Sequence, residues 1–333
     1  MQTVLTNAKL ILENEVVTGT IAFDANGITA VDQGKSSLPG AIDVGGDYVA
    51  PGLVEMHTDN MEKHFMPRPK VFWPNGLAAA LVHDAQMAAA GVTTVYDAVC
   101  AGTPFSAKDY RKDIFADVMK SLAYGKSENV FRIDHRIHMR CELTSPNLLA
   151  DIAPYQDDEL VQLVSLMDHT PGQRQWRDIQ HLKTYAVGNG KTVAEFEEDV
   201  EVRQREGAAN VARNWQAVVD IFRARGIPLA THDDTIPEHV EEGVASGAVI
   251  SEFPTTVEAA QAPFWTGEDP HRKIVYKQYK DGTVPFQFVY NYKFTTVNAE
   301  NVWAKAVNRV VQDKIPAEQA VDEMIVRIKQ IAG

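Results

Sequence analysis

Between about residue 48 and residue 261 the chain alternates short apolar strands with helical segments, and this alternation restricts the fold more than any other feature. β-branched runs such as Val92–Tyr96 and Ile227–Thr231 stand between segments with helical spacing, of which Val193–Ala224 is the longest. Two parallel strands need a crossover connection, usually a helix, before they can pair. The pattern therefore predicts parallel βα units, arranged as a barrel or as a doubly wound sheet.

The two ends of the chain do not follow this alternation. In residues 1–50 short apolar runs are divided by turn residues, and Asn26-Gly27 between two β-branched runs predicts a hairpin. We therefore expect a small antiparallel β unit over 1–50, a (β/α) domain over 51–261 and a helical tail over 262–333. The predicted elements of the tail are a strand over Val284–Val289 and helices over Ala299–Val311 and Pro316–Ile331.

The composition restricts the partners of the chain. Its 333 residues carry a formal net charge of −13, which opposes non-specific binding to nucleic acid or to an anionic membrane. No apolar run reaches the roughly 20 residues that span a bilayer. The first residues lack the basic start and long apolar run of a secretory signal, so a cytoplasmic location is expected. Cys100 and Cys141 fall in predicted strands and are expected to be buried free thiols.

Side chains that bind metals stand at the carboxyl ends of the predicted strands, where parallel (β/α) barrels carry their catalytic residues. His57 and Asp59 close the first strand, and at i and i+2 on extended backbone they point to the same side. Glu142, His169 and His232 close three later strands. Imidazole nitrogens together with carboxylate oxygens suit zinc or another borderline divalent ion, bound singly or as a pair. Such a site lowers the pKa of a bound water and supplies hydroxide at neutral pH.

The same side chains have structural alternatives that the sequence leaves open. Glu142 also suits an ion pair with Arg136 or Arg140. His169 also suits the cap of a helix that begins after Pro171. Neither alternative involves a metal.

Asp233 and Asp234 precede a predicted helix, and one of them is expected to be its N-cap. Asp233 is also a candidate catalytic carboxylate. Four further histidines are more typical of surface or packing positions than of a metal site: His64, His83, His135 and His138.

A basic loop follows the first candidate ligands. Lys63, Arg68 and Lys70 place three cations close together, and the prolines on either side of Arg68 hold its guanidinium in one direction. A guanidinium held in this way can bind two phosphate oxygens at once. We therefore expect Lys63, His64 and Arg68 to contact a substrate phosphate. The alternative is a solvated basic loop that binds no ligand.

The segment Ala50–His64 with the following Pro67-Arg68-Pro69 closely resembles the amidohydrolase-type diphosphatases of the carbon–phosphorus lyase pathway. Pro51-Gly52 before the first metal strand is shared by many amidohydrolases. The sequences Glu62-Lys63-His64 and Pro67-Arg68-Pro69 are typical of far fewer of them. Further matches follow in chain order up to about residue 261: Gly91–Val95, Arg140–Glu142, Met167–Gln173, Thr231–Asp234 and Ser251–Thr256.

The resemblance implies a metal-dependent-hydrolase-like (β/α) barrel and a hydrolase of phosphonate catabolism. The implied reaction cuts the 5-triphosphate of alpha-D-ribose 1-methylphosphonate 5-triphosphate and releases pyrophosphate. The implied cofactor is one or two divalent ions, with zinc as the expected metal. The candidate metal ligands are then His57, Asp59, Glu142, His169 and His232, and the candidate catalytic carboxylates are Asp59, Glu142 and Asp233.

The chain departs from the family pattern after Thr256. The resemblance implies two more barrel strands, the last with a metal-binding aspartate, and the sequence offers no match to them. Residues from Gly267 to Gly333 instead resemble the C-terminal lobe of a bacterial extracellular solute-binding protein. A barrel without its last strands would expose sheet edges, which the tail or a second copy of the chain would have to cover. A homo-oligomer is therefore one expectation.

Two alternative functions follow from this departure. The chain could be a catalytically impaired fusion or a ligand-binding module that does not turn its ligand over. It could also be a different amidohydrolase that acts on a cyclic amide or deaminates a base. The cations at Lys63 and Arg68 favour a phosphorylated small molecule over the substrates of a different amidohydrolase. The absence of a secretory signal weighs against a periplasmic solute receptor.

Overall fold

A computed structural model describes residues 2–68, 71–102, 111–188, 190–262, 277, 297 and 300–332. The chain forms two compact units, Met1–Ala260 and Gln261–Gly333. The predicted strand Val284–Val289 lies outside the described residues, as do Pro69 and Lys70 of the basic loop.

The first unit begins with a small sheet. Its strands are β1 (Thr3–Ile11), β2 (Val16–Asp24), β3 (Gly27–Gln33), β4 (Ile42–Asp43) and β5 (Tyr48–Val49). Strands β1, β2 and β3 are antiparallel, and Asp24 pairs with Gly27 across the predicted hairpin. Gly27 has a φ of +128°, which a residue with a Cβ rarely adopts. The N-terminal β unit is thus confirmed.

The small sheet is mixed, whereas the sequence predicted an antiparallel one. Strands β4 and β5 both pair with β1 in parallel. The chain leaves β3 through a long connection that crosses to the other side of β1, which a tight hairpin turn cannot do. Pro51-Gly52 separates the two sheets along the chain, because β5 ends before these residues and pairs in the small sheet.

A second sheet carries the rest of this unit. Its six strands are β6 (Leu53–Thr58), β7 (Val92–Ala101), β8 (Asp134–Glu142), β9 (Val161–Met167), β10 (Leu229–His232) and β11 (Ala248–Glu252). All the pairings are parallel, and each strand lies beside the next one along the chain. A doubly wound sheet would reverse its strand order at a switch point, and this sheet does not. The fold is therefore an incomplete (β/α) barrel, as expected.

Helices follow these strands. They are α1 (Asn60–Phe65), α2 (Gly76–Ala89), α3 (Arg111–Ser127), α4 (Leu148–Ile152), α5 (Ile179–Gly188), α6 (Val193–Ala224), α7 (Pro237–Ala245) and α8 (Val257–Ala260). None of the helices in the described part of the chain is long and apolar enough to cross a bilayer.

The core lies between the second sheet and its helices. Ile137 and Met139 of β8 and Val164 of β9 are completely buried, as are Val118 of α3 and Phe222 of α6. Burial of one such side chain contributes about 1.5–3 kcal/mol to folding. Both faces of a parallel sheet are usually covered, and β9 is accordingly apolar along most of its length.

Helix α6 holds the loop after β8 in place. A capping box begins the helix, in which Thr192 accepts from the backbone of Glu195 and the Glu195 side chain accepts from the backbone of Thr192. Further along, the buried Asn214 donates from Nδ2 to the carbonyl oxygens of Leu143 and Ser145, over 2.9 and 2.8 Å. These bonds fix the backbone that directly follows the carboxyl end of β8.

The second unit contains α9 (Val302–Val311) and α10 (Ala317–Ala332), which pack on each other. Arg309 of α9 donates to both carboxylate oxygens of Glu323 in α10, over 3.0 and 3.2 Å. Arg327 of α10 pairs in the same bidentate way with Glu300. The helical character of the tail is confirmed.

Candidate metal centre

The carboxyl ends of five strands bring histidines and acidic side chains together at one edge of the second sheet. The residues are His57 in β6, Glu142 in β8, His169 after β9, His232 in β10 and Glu252 in β11. The parallel register explains their proximity, because Glu142 pairs with Met167 and His232 pairs with Glu252. In such a sheet all strands end at the same edge.

One group of donors surrounds the carboxylate of Asp233. Its Oδ2 lies 3.4 Å from Nε2 of His232 and 3.7 Å from Nε2 of His169. Nδ1 of His169 faces away from this carboxylate and lies 2.5 Å from Oε2 of Glu142. Among the described residues, Oδ2 of Asp233 is buried and has no hydrogen-bond partner. An acceptor oxygen buried between two imidazoles suits a bound cation.

The backbone helps to aim Asp233. It lies in the left-handed region with a φ of +55°, directly after β10. Its N–H donates to the carbonyl oxygen of Glu252 over 2.9 Å, which ties this turn to the end of β11. Such a conformation is uncommon outside glycine and costs on the order of 1–3 kcal/mol. Here it brings the Asp233 carboxylate to the two histidines.

A second group of donors surrounds the carboxylate of Glu252. Oε1 lies 3.0 Å from Nδ1 of His57, and Oε2 lies 3.4 Å from Nδ1 of His232. Ser165 also donates to Oε2 over 2.5 Å, and Nε2 of His138 lies 3.6 Å from it. The rings of His57 and His232 are stacked, with centroids 6.4 Å apart. Glu252 thus joins the two groups of donors.

Asp59 pairs with a cation that sequence reasoning did not assign to the site. Its Oδ1 accepts from Nη1 of Arg140 over 2.7 Å and lies 3.7 Å from Nε2 of His57. The Arg140 side chain is 9% exposed and that of Asp59 is 44% exposed. A largely buried guanidinium therefore contacts a candidate ligand, Asp59, that is itself partly exposed.

The structural alternatives for three of the candidates are not realised. Glu142 pairs with His169 and with the hydroxyl of Thr144 rather than with an arginine. After β9 it is Asp168, and not His169, that accepts from the backbone N–H of Thr170.

The aspartate pair also has no capping role. The N-cap of α7 is Ile236, which makes no side-chain capping bond. Asp234 is fully buried and accepts from Arg174 over 2.6 Å and from Thr231 and Ser251, each over 2.5 Å. Asp234 therefore holds the turn after β10 in place, and Asp233 faces the histidines.

Two effects act on the pKa values in the centre: burial away from water, and the opposite charges of neighbouring side chains. Burial alone would raise the pKa of Glu142, but the charge of His169 and hydrogen bonds from His169 and Thr144 lower it to about 2. Burial would lower the pKa of His169, and Glu142 and Asp233 raise it to about 9.

The histidine at the end of β6 follows the same rule. Burial would lower the pKa of His57, but hydrogen bonds with Asp59 and Glu252 raise it to about 9. Burial alone would also raise the pKa of Glu252. Hydrogen bonds with His232 and His57 nevertheless hold this pKa well below its usual value. Groups that favour a nearby positive charge this strongly also favour a metal cation.

The basic loop is described only in part. Lys63 in α1 and Arg68 after it are exposed. His64 lies against α2, with Nε2 2.8 Å from Oε1 of Gln86 and its ring 5.6 Å from that of His83. The structure therefore directs His64 toward a helix, and the phosphate contacts of Lys63, His64 and Arg68 stay predictions.

The donor sets fit a divalent ion. One atom from each of His57, His138 and Glu252 lies within 4.8 Å of the others, and the same holds for His169, His232 and Asp233. Imidazole with carboxylate is the donor combination of many zinc sites. Sequence reasoning missed Glu252 and treated His138 as a packing residue. The available signal was the position of Glu252 in the matching segment Ser251–Thr256.

The sequence was also compared with known proteins. No family model matches it. The chain is 41% identical over 260 residues to alpha-D-ribose 1-methylphosphonate 5-triphosphate diphosphatase of Escherichia coli (strain K12). The matched residues are 78% of this chain and 68% of that protein.

Solved structures resemble the fold at low sequence identity. N-acetyl-D-glucosamine-6-phosphate deacetylase from Mycobacterium smegmatis aligns at 14% identity and a TM-score of 0.43, over 75% of this chain and 55% of that one. A D-hydantoinase aligns at 14% identity and a TM-score of 0.37, over 85% of this chain and 67% of that one. The chain therefore spans little more than half the length of the deacetylase.

Proposed function

This chain belongs to the family of alpha-D-ribose 1-methylphosphonate 5-triphosphate diphosphatase, and from that premise we propose that it hydrolyses the 5-triphosphate of the same compound and releases pyrophosphate. The observation that carries the proposal is the convergence of His57, His169, His232 and Asp233 at one sheet edge, in a chain 41% identical to that enzyme. The proposed cofactor is zinc, as one or two ions. The proposed setting is phosphonate catabolism in the cytoplasm.

The orientation of the histidines supports a metal site at this edge. Nδ1 of His57 and of His232 faces Glu252, and Nδ1 of His169 faces Glu142. The Nε2 atoms of the same three rings face aspartates, with distances of 3.4–3.7 Å. Metal-binding histidines usually donate their other N–H to a carboxylate, which fixes the ring. We therefore propose that the three Nε2 atoms bind the metal together with the aspartates.

A divalent ion held here would polarise a phosphoryl oxygen and lower the pKa of a nearby water. The protein groups then have separate tasks. Asp233 is a proton acceptor for the attacking water, because its Oδ2 makes no hydrogen bond among the described residues. Arg140 is proposed to neutralise charge on the substrate, since its guanidinium is next to the partly exposed Asp59. Lys63 and Arg68 are proposed to bind the distal phosphates.

The atoms balance in the proposed reaction. The water oxygen forms a bond to the α-phosphorus, and the bond between that phosphorus and the α–β bridging oxygen breaks. Pyrophosphate leaves with the bridging oxygen, and Asp233 takes the proton from the water. The ribose keeps a single phosphate at its 5 position.

The test uses the full chain and the compound itself. We expect zinc-loaded protein to release pyrophosphate from alpha-D-ribose 1-methylphosphonate 5-triphosphate, and His169→Ala to lose both zinc and activity. His181→Ala is the matched control, because the His181 side chain is 83% exposed and, among the described residues, pairs only with Asp178. Substrate binding without pyrophosphate release would identify a ligand-binding module. Ring opening of a cyclic amide, or release of ammonia from a base, would instead identify a different amidohydrolase.

A further inference from the structure

A second cluster of buried metal-ligand types lies between α2 and the sheet. His83 of α2, Asp97 of β7 and His135 of β8 are 0%, 0% and 2% exposed. Oδ1 of Asp97 lies 2.8 Å from Nε2 of His83, and its Oδ2 lies 2.7 Å from Nδ1 of His135. One donor atom from each residue lies within 4.8 Å of the others. The carboxylate thus joins two imidazoles from different elements.

This cluster is separate from the candidate metal centre. It shares no residue with that centre, and His135 stands near the start of β8 whereas Glu142 stands at its end. His138, the member of that centre nearest to His135 on β8, is three residues away, which corresponds to about 10 Å of extended strand and to the opposite face of the sheet. An ion at one cluster therefore cannot be bound by the other.

The hydrogen-bonding capacity of the cluster is not satisfied by its own groups. Nδ1 of His83 and Nε2 of His135 are buried and have no hydrogen-bond partner in the described part of the chain. Nε2 of His135 lies 3.5 Å from Oδ1 of Asp84. That carboxylate already accepts from the backbone of Arg132 over 2.8 Å and from its Nη1 over 2.8 Å.

A neutral imidazole cannot satisfy both carboxylates that face His135. With the proton on Nδ1, the lone pair of Nε2 faces Asp84. With the proton on Nε2, the lone pair of Nδ1 faces Asp97 at 2.7 Å. A cation bound by Nδ1 removes this conflict, because Nε2 then carries the proton and points it toward Asp84. A ligating histidine whose other nitrogen faces a carboxylate is the usual surrounding of a protein-bound metal.

We propose that His83, Asp97 and His135 form a second binding site for a divalent transition-metal ion. Two imidazole nitrogens and one carboxylate oxygen are the donor set that zinc accepts in three-ligand sites, and calcium and magnesium prefer oxygen alone. The ion would connect α2 to β7 and β8 on the far side of the sheet from the substrate. Its role is therefore to hold the fold together rather than to touch substrate.

The experiment removes the first centre and asks whether zinc still binds. The full chain carrying His57→Ala and His169→Ala is dialysed against micromolar zinc, and the bound zinc is measured by mass spectrometry. We expect about one zinc per chain, with imidazole scattering in its X-ray absorption spectrum. Adding Asp97→Asn should reduce bound zinc at least tenfold. Adding His181→Ala instead should leave bound zinc unchanged.

Two results would overturn the proposal. One is a double variant that binds no zinc, which leaves the doubly protonated His135 as the arrangement that satisfies both carboxylates. The other is full zinc retention after Asp97→Asn in protein with an unchanged circular dichroism spectrum. If Asp97→Asn does not fold, cobalt added to the double variant decides the question, since an absence of visible d–d absorption contradicts a site of this kind. None of these readouts depends on pyrophosphate release, so the diphosphatase proposal can fail separately.

Discussion

Nδ1 of His169 lies 2.5 Å from Oε2 of Glu142, and on its other side the same ring presents Nε2 to Asp233. The glutamate is completely enclosed at the end of β8, and the histidine follows β9. The pair fixes the direction of the ring before any ligand arrives. Preorganisation of this kind makes metal binding depend on residues that need not touch the metal.

The first prediction concerns Glu142. In Glu142→Gln the acceptor for His169 loses its charge, so His169 is held less firmly and is a weaker ligand. We expect the zinc affinity to fall by about 10–100-fold, measured by competition with a chelator of known affinity. Glu241→Gln is the control, because Glu241 is exposed on α7. Unchanged zinc affinity in Glu142→Gln would exclude a role for this pair in metal binding.

The second prediction concerns the stability of the metal-free protein. The pKa of Glu142 is lowered from 4.5 to about 2, so its contribution is complete above pH 4.5 and is lost as the pH falls toward 2. The pKa of His169 is raised from 6.5 to about 9, so its contribution is complete below pH 6.5 and is lost as the pH rises through 9. In urea unfolding of chelator-treated protein, the contribution of this pair to the free energy of unfolding should therefore be largest between pH 4.5 and pH 6.5. A Glu142→Gln protein with the same pH profile as the parent would contradict the assignment.

The third prediction concerns Arg140. Its replacement in Arg140→Met removes the guanidinium beside Asp59, and a hydrogen bond to a charged group is worth about 1.5–3 kcal/mol. We expect kcat/KM for pyrophosphate release to fall by roughly 10–100-fold, with the bound zinc unchanged. Arg205→Met is the control, because the Arg205 side chain is exposed on α6. Loss of zinc in Arg140→Met would show that the guanidinium holds Asp59 as a ligand instead.

The fourth prediction concerns Asn214. Replacement by alanine leaves the carbonyl oxygens of Leu143 and Ser145 without their donor in a buried place. The free energy of unfolding should fall by about 1–3 kcal/mol in urea titrations. Gln216→Ala on the exposed side of the same helix should change it by less than about 0.5 kcal/mol. Equal effects of the two changes would mean that α6 does not anchor the loop.

The sequence predicted the elements whose signals are local. The helix Val193–Ala224 was predicted with the same limits as those observed, because its spacing, its Thr192 cap and Gly226 all lie within one segment. The predicted run Ile227–Thr231 lies within two residues of β10, whereas β7 begins at the predicted Val92 and extends to Ala101, beyond the predicted Tyr96. The pairing of β4 and β5 with β1 was not predicted, since short strands have no periodicity of their own.

The parts of the site that sequence reasoning missed depend on contacts between distant residues. Glu252 meets His57 across 195 positions, and Arg140 meets Asp59 across 81. Strand periodicity alone does not distinguish Arg140 from Arg136, which pairs with Asp134, Tyr96 and Gln162. Only the strand register decides which of the two arginines reaches the centre.

The neighbour-by-neighbour order of the second sheet has a consequence for how the protein is made. Each strand can join the one that left the ribosome just before it, so the sheet can grow in the order of synthesis. His57 is then among the first residues of this sheet to appear, and Glu252, which holds its ring, is among the last. A newborn chain would therefore have no complete centre until β11 has docked, and zinc capture would mark the end of its assembly.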